Sequence, residues 1–130
     1  MAGYSGTPLA KKLGIQAGSG VALIHAPEGM QEQLAPLPEG VRLQSGATSG
    51  VRTALLFLRS RAELAARFDG AARCVEPKGH LWLAWPKKSS GVATDLSGDL
   101  VREYGLSQNW VDFKVCAIDE VWSGLCFARR

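Results

Sequence analysis

The stretch Leu81-Trp-Leu-Ala-Trp-Pro-Lys-Lys-Ser-Ser-Gly-Val-Ala-Thr-Asp95 joins an apolar segment to a polar loop that contains a glycine. Its first five residues are apolar without alternation, which is typical of a strand buried on both faces of a parallel sheet. Pro86 ends that strand, because proline has no backbone N–H to donate to a neighbouring strand. Thr94 or Asp95 is a suitable N-cap, so we predict that the loop leads from a buried strand into a helix.

Two earlier apolar runs have the same continuous character, at residues 21–26 and 53–58. A shorter alternating segment at 41–44 predicts a strand near a sheet edge. We predict four helices. The first starts at the cap Thr7-Pro8, and the second covers residues 30–37. The third follows the capping box Ser60-Arg-Ala-Glu63, and the fourth follows Thr94. The third of these helices is expected to end at Pro77-Lys-Gly79 and the fourth at Gly105.

The C-terminal part of the chain predicts a hairpin. Residues 111–118 and 124–128 form two strands joined by a short turn, so they should be antiparallel neighbours. A hairpin centred near Val121 places Cys116 opposite Cys126.

Length, composition and the order of these elements predict the fold class. The chain has 130 residues, of which 46% are hydrophobic and 21% are charged, as in an ordinary globular domain. Alternating strands and helices are typical of an α/β protein. We therefore predict a single Rossmann-like α/β domain over residues 1–130. It has three layers, with a mostly parallel sheet of about six strands and an antiparallel hairpin at the C-terminus.

Charge, hydropathy and cysteine usage exclude several classes of protein. The net charge is +3, and the basic residues are scattered without an interleaved aromatic stripe, which argues against nucleic-acid binding. No run approaches the ~18 apolar residues of a membrane span. Residues 1–7 lack the pattern of a signal peptide, so we expect a cytoplasmic protein. Cys74, Cys116 and Cys126 have no metal-ligand spacing, so we expect reduced core thiols and no metal site.

The order of the elements resembles a shortened class I methyltransferase fold. Residues 13–23 (Leu-Gly-Ile-Gln-Ala-Gly-Ser-Gly-Val-Ala-Leu) resemble the approach to the first strand of that fold, and Val75-Glu-Pro-Lys-Gly79 resembles the turn before its fifth strand. The closing hairpin resembles its reversed last strand. The resemblance implies that one strand–helix unit is missing between Gln44 and Thr53.

Several blocks of the sequence also resemble a bacterial family that is catalogued as domain of unknown function 3052. These blocks are residues 4–14, Trp85-Pro-Lys-Lys-Ser-Ser-Gly91, Thr94-Asp-Leu96, residues 115–120 and Trp122-Ser-Gly124. The resemblance implies which loops the family shares and implies no activity.

The methyltransferase resemblance implies two cofactor-binding features that this sequence lacks. The first is a glycine-rich turn after strand one, where only glycine lets the backbone approach a cofactor closely. Here that turn is His25-Ala-Pro-Glu-Gly29, with one glycine and a proline. The second is an acidic residue at the end of strand two, where this chain has Leu43-Gln-Ser45. Both departures argue against binding of S-adenosylmethionine, so we predict no cofactor.

The predicted site lies beyond the carboxyl ends of the strands, where open α/β sheets bind ligands. Four cations and two helix N-termini, near Ser60 and Thr94, favour a phosphate- or carboxylate-bearing ligand there. The candidate ligand-binding residues are His25, Glu28, Gly29, Arg59, Arg61, Lys87, Lys88, Ser89, Ser90, Gly91, Thr94, Asp119 and Trp122.

Each part of this site has a plainer interpretation. The lysine pair is equally well explained by surface ion pairs with Asp119 or Glu120, and residues 89–91 by turn chemistry. His25 is better explained by a local hydrogen bond at a strand end than as a general base, and Ser60 by a helix cap. No residue is assigned a catalytic role.

The tryptophans carry two further predictions. Trp82 and Trp85 lie three residues apart on one strand, so they should point to opposite faces of the sheet. Trp110 and Trp122 lie near strand beginnings and are expected to be partly exposed, with Trp122 available to stack on a ligand.

The leading interpretation is a small cytoplasmic protein that binds an anionic small molecule or nucleotide at the carboxyl ends of its strands. One alternative is a non-catalytic interaction or dimerisation module, with a second copy of the chain among its partners. The other is a degenerate methyltransferase-like enzyme that depends on S-adenosylmethionine.

Overall fold

The computed structural model describes residues 7–130, so Tyr4-Ser-Gly6 in the first family-like block lies outside the described residues. The strands are β1 (Gly20–Ile24), β2 (Arg42–Ser45), β3 (Val51–Phe57), β4 (Val75–Pro86), β5 (Trp110–Ala117) and β6 (Trp122–Arg129). The helices are α1 (Leu9–Lys12), α2 (Met30–Leu34), α3 (Arg61–Cys74) and α4 (Gly98–Ser107), and a 3-10 turn covers Lys88–Ser90.

The six strands form one mixed sheet in the order β2-β1-β3-β4-β6-β5. β1 is parallel to β2 and β3, and β3 is parallel to β4. β6 runs antiparallel to both of its neighbours, β4 and β5. The predicted α/β fold with a C-terminal antiparallel hairpin is confirmed. β2 is an edge strand, as its alternating pattern predicted.

Each face of the sheet has its own hydrophobic core. On the first, here called the α3 face, Leu64 and Phe68 of α3 and Val101 of α4 pack on strand residues. On the second, the α1 face, residues of α1 and α2 pack on the other side of the same strands. Trp85 belongs to the α3 face and Trp82 to the α1 face, so the prediction of opposite faces is confirmed.

The segment Pro77-Lys-Gly79 does not stop a helix. α3 ends at Cys74, and β4 begins at the next residue. The register passes from Val51 opposite Val75 to Thr53 opposite His80, so the segment forms a bulge within β4. A Cβ at Gly79 would lie 2.5 Å from the Arg52 carbonyl oxygen. Glycine is therefore needed here for close approach of two backbones.

Both ends of α4 differ from the prediction. Ser97 caps the helix by accepting a hydrogen bond from the Leu100 N–H at 3.2 Å. The helix therefore begins at Gly98, several residues later than the predicted start at Thr94 or Asp95. It continues through Gly105 to Ser107. Gly105 is buried under the Phe127 ring, which leaves no room for a side chain. At the other end of the chain, Pro8 takes the N-cap position of α1 that was predicted for Thr7.

The C-terminal hairpin has a different register from the predicted one. Cys116 lies opposite Gly124 and Cys126 lies opposite Lys114, so the two cysteines are not cross-strand partners. All three cysteines are free and buried, and burial raises the pKa of the Cys126 thiol to about 12. Within residues 7–130, no helix has the length and apolar character needed to cross a membrane.

Two tryptophans are more buried than predicted. Trp110 and Trp122 are each only 5% exposed. Arg129 lies over the Trp110 ring, 4.6 Å from its centroid, and Phe68 contacts the same ring edge-on. Long side chains from other elements therefore cover surface that a strand-terminal position by itself would leave open.

Candidate functional site

The crevice at the carboxyl edge of the sheet lies between β1 and β3. The chain leaves β1 toward β2 on one side and leaves β3 toward β4 on the other, so the strand order reverses between them. Ligands of open α/β sheets bind at such a reversal. His25 follows β1 directly and adopts a left-handed conformation, with φ of 58°. This conformation is uncommon for a residue other than glycine and is found more often at functional sites.

The imidazole of His25 bridges this crevice. Its Nδ1 lies 3.1 Å from the carbonyl oxygen of Phe57, the last residue of β3. A carbonyl only accepts hydrogen bonds, so Nδ1 carries a hydrogen and donates it to Phe57. The predicted local hydrogen bond of His25 is therefore confirmed. The ring is 30% exposed, which leaves it open to the rim.

The acid beside His25 is Glu63 and not Glu28. Glu63 Oε1 lies 3.9 Å from His25 Nδ1 and accepts a 2.7 Å hydrogen bond from the Arg59 N–H. Glu28 is exposed in the turn before α2, where Gly29 with φ of 86° takes the N-cap position. Glu63 thus links the residue after β1 to the residues after β3.

The N-terminus of α3 already holds a carboxylate of the chain itself. Ser60 Oγ accepts from the Glu63 N–H at 3.1 Å, which confirms the predicted cap. Asp95 Oδ1 accepts from the Arg61 N–H at 2.8 Å, and the Thr94 hydroxyl donates to the Arg59 carbonyl at 2.7 Å. The predicted helix start at Thr94 is wrong, because Thr94 and Asp95 instead bind the beginning of α3.

The loop after β4 is ordered by its own turn chemistry. The Lys87 N–H donates to the Val121 carbonyl at 2.8 Å. The Ser90 hydroxyl donates to the Lys87 carbonyl at 2.6 Å and accepts from the Val92 N–H at 3.1 Å. Gly91 has φ of 79°, which favours glycine. The turn interpretation therefore accounts for Ser90 and Gly91, and Lys88 and Ser89 are exposed beside them.

Trp122 lies under a cation of the chain. The Arg59 guanidinium lies 5.1 Å from the centroid of the indole, and Phe57 contacts the ring edge-on at 5.1 Å. Asp119 Oδ1 accepts from the N–H groups of Val121 and Trp122, each at 2.8 Å, and so fixes the turn that presents the indole. Arg59 therefore covers the indole that was predicted to stack on a ligand.

The charged groups of the rim divide into two sets. Three carboxylates accept hydrogen bonds from backbone N–H groups, and they belong to Glu63, Asp95 and Asp119. Among residues 7–130, no ion pair forms to Arg59, Arg61, Lys87 or Lys88. The alternative in which the lysines pair with Asp119 or Glu120 therefore has no contact in its favour.

The predicted site residues are only partly brought together. Contacts join Arg59 to Thr94 and to Trp122, and Glu63 joins Arg59 to His25. Sequence reasoning missed Glu63 and Asp95 as rim residues. The capping-box pattern located Glu63 on the first turn of α3, whereas the contact of Asp95 with α3 has no local signal. No group of three His, Cys, Asp or Glu side chains within residues 7–130 is arranged to hold a metal ion.

Comparison with known proteins places the fold. No protein-family model matches the sequence, and a search of curated proteins finds no relative. Among solved structures, the pyocyanin biosynthetic protein PhzM matches with a TM-score of 0.65 at 9% identity, over 95% of this chain and 54% of that chain. The N-methyltransferase NodS from Bradyrhizobium japonicum WM9 matches with a TM-score of 0.57 at 14% identity, over 93% and 83%. This chain has a methyltransferase-like fold.

Further matches extend this finding without adding an activity. DhpI matches with a TM-score of 0.63 at 9% identity, over 94% of this chain and 83% of that chain. At such identities the methyltransferase-like domain shares its fold with these proteins and nothing more specific. The chain spans about half the length of PhzM. Membership of the bacterial family suggested by the sequence blocks stays a prediction.

Proposed function

We propose that this methyltransferase-like domain binds an anionic small molecule or a nucleotide at the carboxyl edge of its sheet. The observation that carries the proposal is the set of four rim cations without an ion pair among the described residues, beside three carboxylates that backbone N–H groups already occupy. Unpaired guanidinium and ammonium groups next to the strand-reversal crevice favour a phosphate or carboxylate.

Some proteins with this fold bind S-adenosylhomocysteine. The NodS and DhpI structures are complexes with S-adenosylhomocysteine. We infer from the strand order that the sheet is a methyltransferase sheet without one strand–helix unit after β2. In this chain the turn after β1 carries the His25 ring, which is bonded to Phe57, and β2 ends at Ser45 without an acid. These departures favour an anionic ligand held by the rim cations over S-adenosylmethionine.

Removing the two lysines should weaken anion binding. We expect ATP and inorganic phosphate to raise the melting temperature of the wild-type protein, since a ligand that binds only the folded state stabilises it by mass action. Lys87→Ala combined with Lys88→Ala should raise the dissociation constant about tenfold or more, because each 1.4 kcal/mol lost is tenfold. Thermal-shift titration followed by isothermal titration calorimetry measures both effects.

A matched control is Lys78→Ala, which removes an exposed lysine from the opposite end of the sheet. Its anion affinity should equal that of the wild type. Equal loss in the control and the double variant indicates nonspecific attraction, and contradicts the proposed site. Absence of any shift with phosphate, ATP or GTP also contradicts it.

S-adenosylmethionine distinguishes the methyltransferase-like alternative. The missing glycine-rich turn and the missing acid after β2 predict no saturable binding in calorimetry. Binding at micromolar concentration that survives removal of both lysines supports the degenerate enzyme and overturns the anion-site assignment.

Asp95→Ala should strengthen anion binding while it weakens α3. The substitution removes a negative charge from the rim and frees the Arg61 N–H that Asp95 now occupies. Loss of a capping acceptor costs about 0.5–2 kcal/mol of stability. We expect a lower urea midpoint without ligand and a phosphate affinity several times that of the wild type. Unchanged or weaker phosphate binding excludes the N-terminus of α3 from the site.

A further inference from the structure

The outer edge of β5 concentrates exposed apolar surface. Among the described residues, four large hydrophobic side chains are exposed, and three of them lie on this strand. They are Val111, Phe113 and Val115, with exposed fractions of 37%, 53% and 71%. The other edge strand, β2, is only four residues long and carries the polar residues Arg42, Gln44 and Ser45. Short, polar edges of that kind are the usual protection against pairing, so β5 is the unusual edge.

Hydrogen bonds at the two ends of β5 show which backbone groups point away from β6. The Arg130 N–H donates to the Asn109 carbonyl, and the Ile118 N–H donates to the Trp122 carbonyl, both at 2.9 Å. These bonds flank the pairs Trp110–Arg129 and Ala117–Ser123. In an antiparallel ladder the residues of such a flanked pair direct their own N–H and C=O groups outward. The backbone N–H and C=O groups of Trp110 and Ala117, the two terminal residues of β5, therefore point away from β6.

A bulge between Asp112 and Lys114 makes this outward pattern symmetric. Along a strand, the backbone groups of every second residue point to the same side. Counting from Trp110, those of Asp112 point outward, and counting back from Ala117, those of Val115 point outward. The bulge absorbs the mismatch between the two series. The outward positions 110, 112, 115 and 117 are thus placed symmetrically about the point between Phe113 and Lys114.

The side chains follow the same symmetry. Trp110 lies on the α3 face, and Asp112 and Val115 lie opposite Phe127 and Leu125, which are also on the α3 face. Four side chains of β5 lie on the α1 face, those of Val111, Phe113, Lys114 and Cys116. Cys116 belongs to the core of that face, Lys114 lies opposite Cys126 of the same core, and Phe113 contacts His80. A two-fold axis between Phe113 and Lys114 therefore places like face against like face.

From this symmetry we propose that β5 is a homodimer interface, in which it pairs antiparallel with β5 of a second copy. Asp112 lies opposite Val115 of the second copy, and Val111 lies opposite its Cys116. Lys114 lies opposite Phe113 of the second copy, where an ammonium group stacks favourably on an aromatic ring. This is the only centre that sets all four outward residues against outward residues of the second copy, so it gives the longest paired register. The two sheets become one continuous sheet through an isologous contact.

One existing contact limits the ends of the interface. Lys12 Nζ donates to the Ala117 carbonyl at 2.9 Å. A carbonyl oxygen has two lone pairs, so the bond from Trp110 of the second copy is still accommodated. The two central Asp112–Val115 pairs have no such competitor among the described residues and provide the register.

Sedimentation velocity over a dilution series tests the association. We expect the wild-type chain to shift from monomer to dimer with increasing concentration. Phe113→Asp should remain monomeric at the highest concentration, because it buries a charge at the axis, and its far-UV circular dichroism should be unchanged. Val92→Asp is the matched control, since Val92 is 43% exposed and lies outside the strand. It should dimerise like the wild type.

Oxidative cross-linking tests the register. Val111→Cys places a thiol opposite the native Cys116 of the second copy, so oxidation should give a covalent dimer on a non-reducing gel. The same variant combined with Cys116→Ala should give none. The proposal is overturned by a wild-type chain that stays monomeric throughout, by a Phe113→Asp variant that still dimerises, or by a cross-link that persists without Cys116. None of these outcomes depends on anion binding at the rim.

Discussion

Trp82→Ala should lower the free energy of unfolding by about 3–5 kcal/mol, the range for removing a large aromatic side chain from a core. Trp82 is fully buried on the central strand β4, in the core of the α1 face. Its Nε1 also donates a 2.9 Å hydrogen bond to the Leu13 carbonyl at the end of α1. The substitution thus leaves a cavity and an unsatisfied carbonyl together. Small domains are stable by only about 5–15 kcal/mol, so we expect a large fall in the urea midpoint.

Trp82→Phe separates the two contributions. Phenylalanine keeps most of the buried ring but cannot donate to Leu13, so the cost should fall to roughly 1–3 kcal/mol, the penalty of an unsatisfied buried group. Hydrogen exchange should show faster opening of α1 in both variants. A Trp82→Ala variant with a midpoint near that of the wild type contradicts the packing described for the α1 face.

Gly105→Ala is expected to destabilise the protein by about 1–3 kcal/mol or more, although alanine is the better helix former. A Cβ at this buried position of α4 overlaps the Phe127 ring of β6. Phe127 is itself fully buried, so the ring can move only by disturbing the α3-face core. Helix propensity alone predicts the opposite sign, and urea denaturation distinguishes the two.

Gly70→Ala is the matched control within α3. A Cβ there meets nothing within 4 Å, so the gain in helix propensity should appear as a stabilisation of about 0.5–1 kcal/mol. A Phe127→Leu background should partly rescue Gly105→Ala, because the smaller side chain makes room for the methyl group. Destabilisation that is equal with and without Phe127→Leu argues against the ring as the cause.

Local patterns were sufficient to locate the strands and helices along the chain, but not to place the end of α3 or either end of α4. Continuous apolar runs identified the buried strands, because a parallel strand covered on both faces tolerates few polar side chains. The Ser60-to-Glu63 spacing identified the start of α3, because a cap is a contact between near neighbours. A short connection was enough to predict the antiparallel hairpin of β5 and β6.

The candidate site was predictable as an edge of the sheet but not as a set of contacts. The alternation of strands and helices predicts that the strands are parallel, so His25, Arg59 and Lys87 were correctly placed at the carboxyl ends of strands. The use of Asp95 as a cap for α3 was not predictable, since Asp95 and Ser97 satisfy the same local preference for an N-cap. Which one caps α4 depends on what lies beside Asp95 in the folded protein, and that neighbour is Arg61.

The loop after Trp85, with its two lysines and two serines, was therefore determined by the sequence only in its position and turn chemistry. Its place after a buried strand and its glycine turn follow from residues that are adjacent in the chain. Only the tertiary structure decided that Thr94 and Asp95 bind α3, that Arg59 covers Trp122, and that Gly105 is a packing glycine rather than a helix end. The physical reason is the same in each case. A backbone conformation depends mainly on near neighbours, whereas burial and hydrogen-bond partners depend on residues brought together by the sheet.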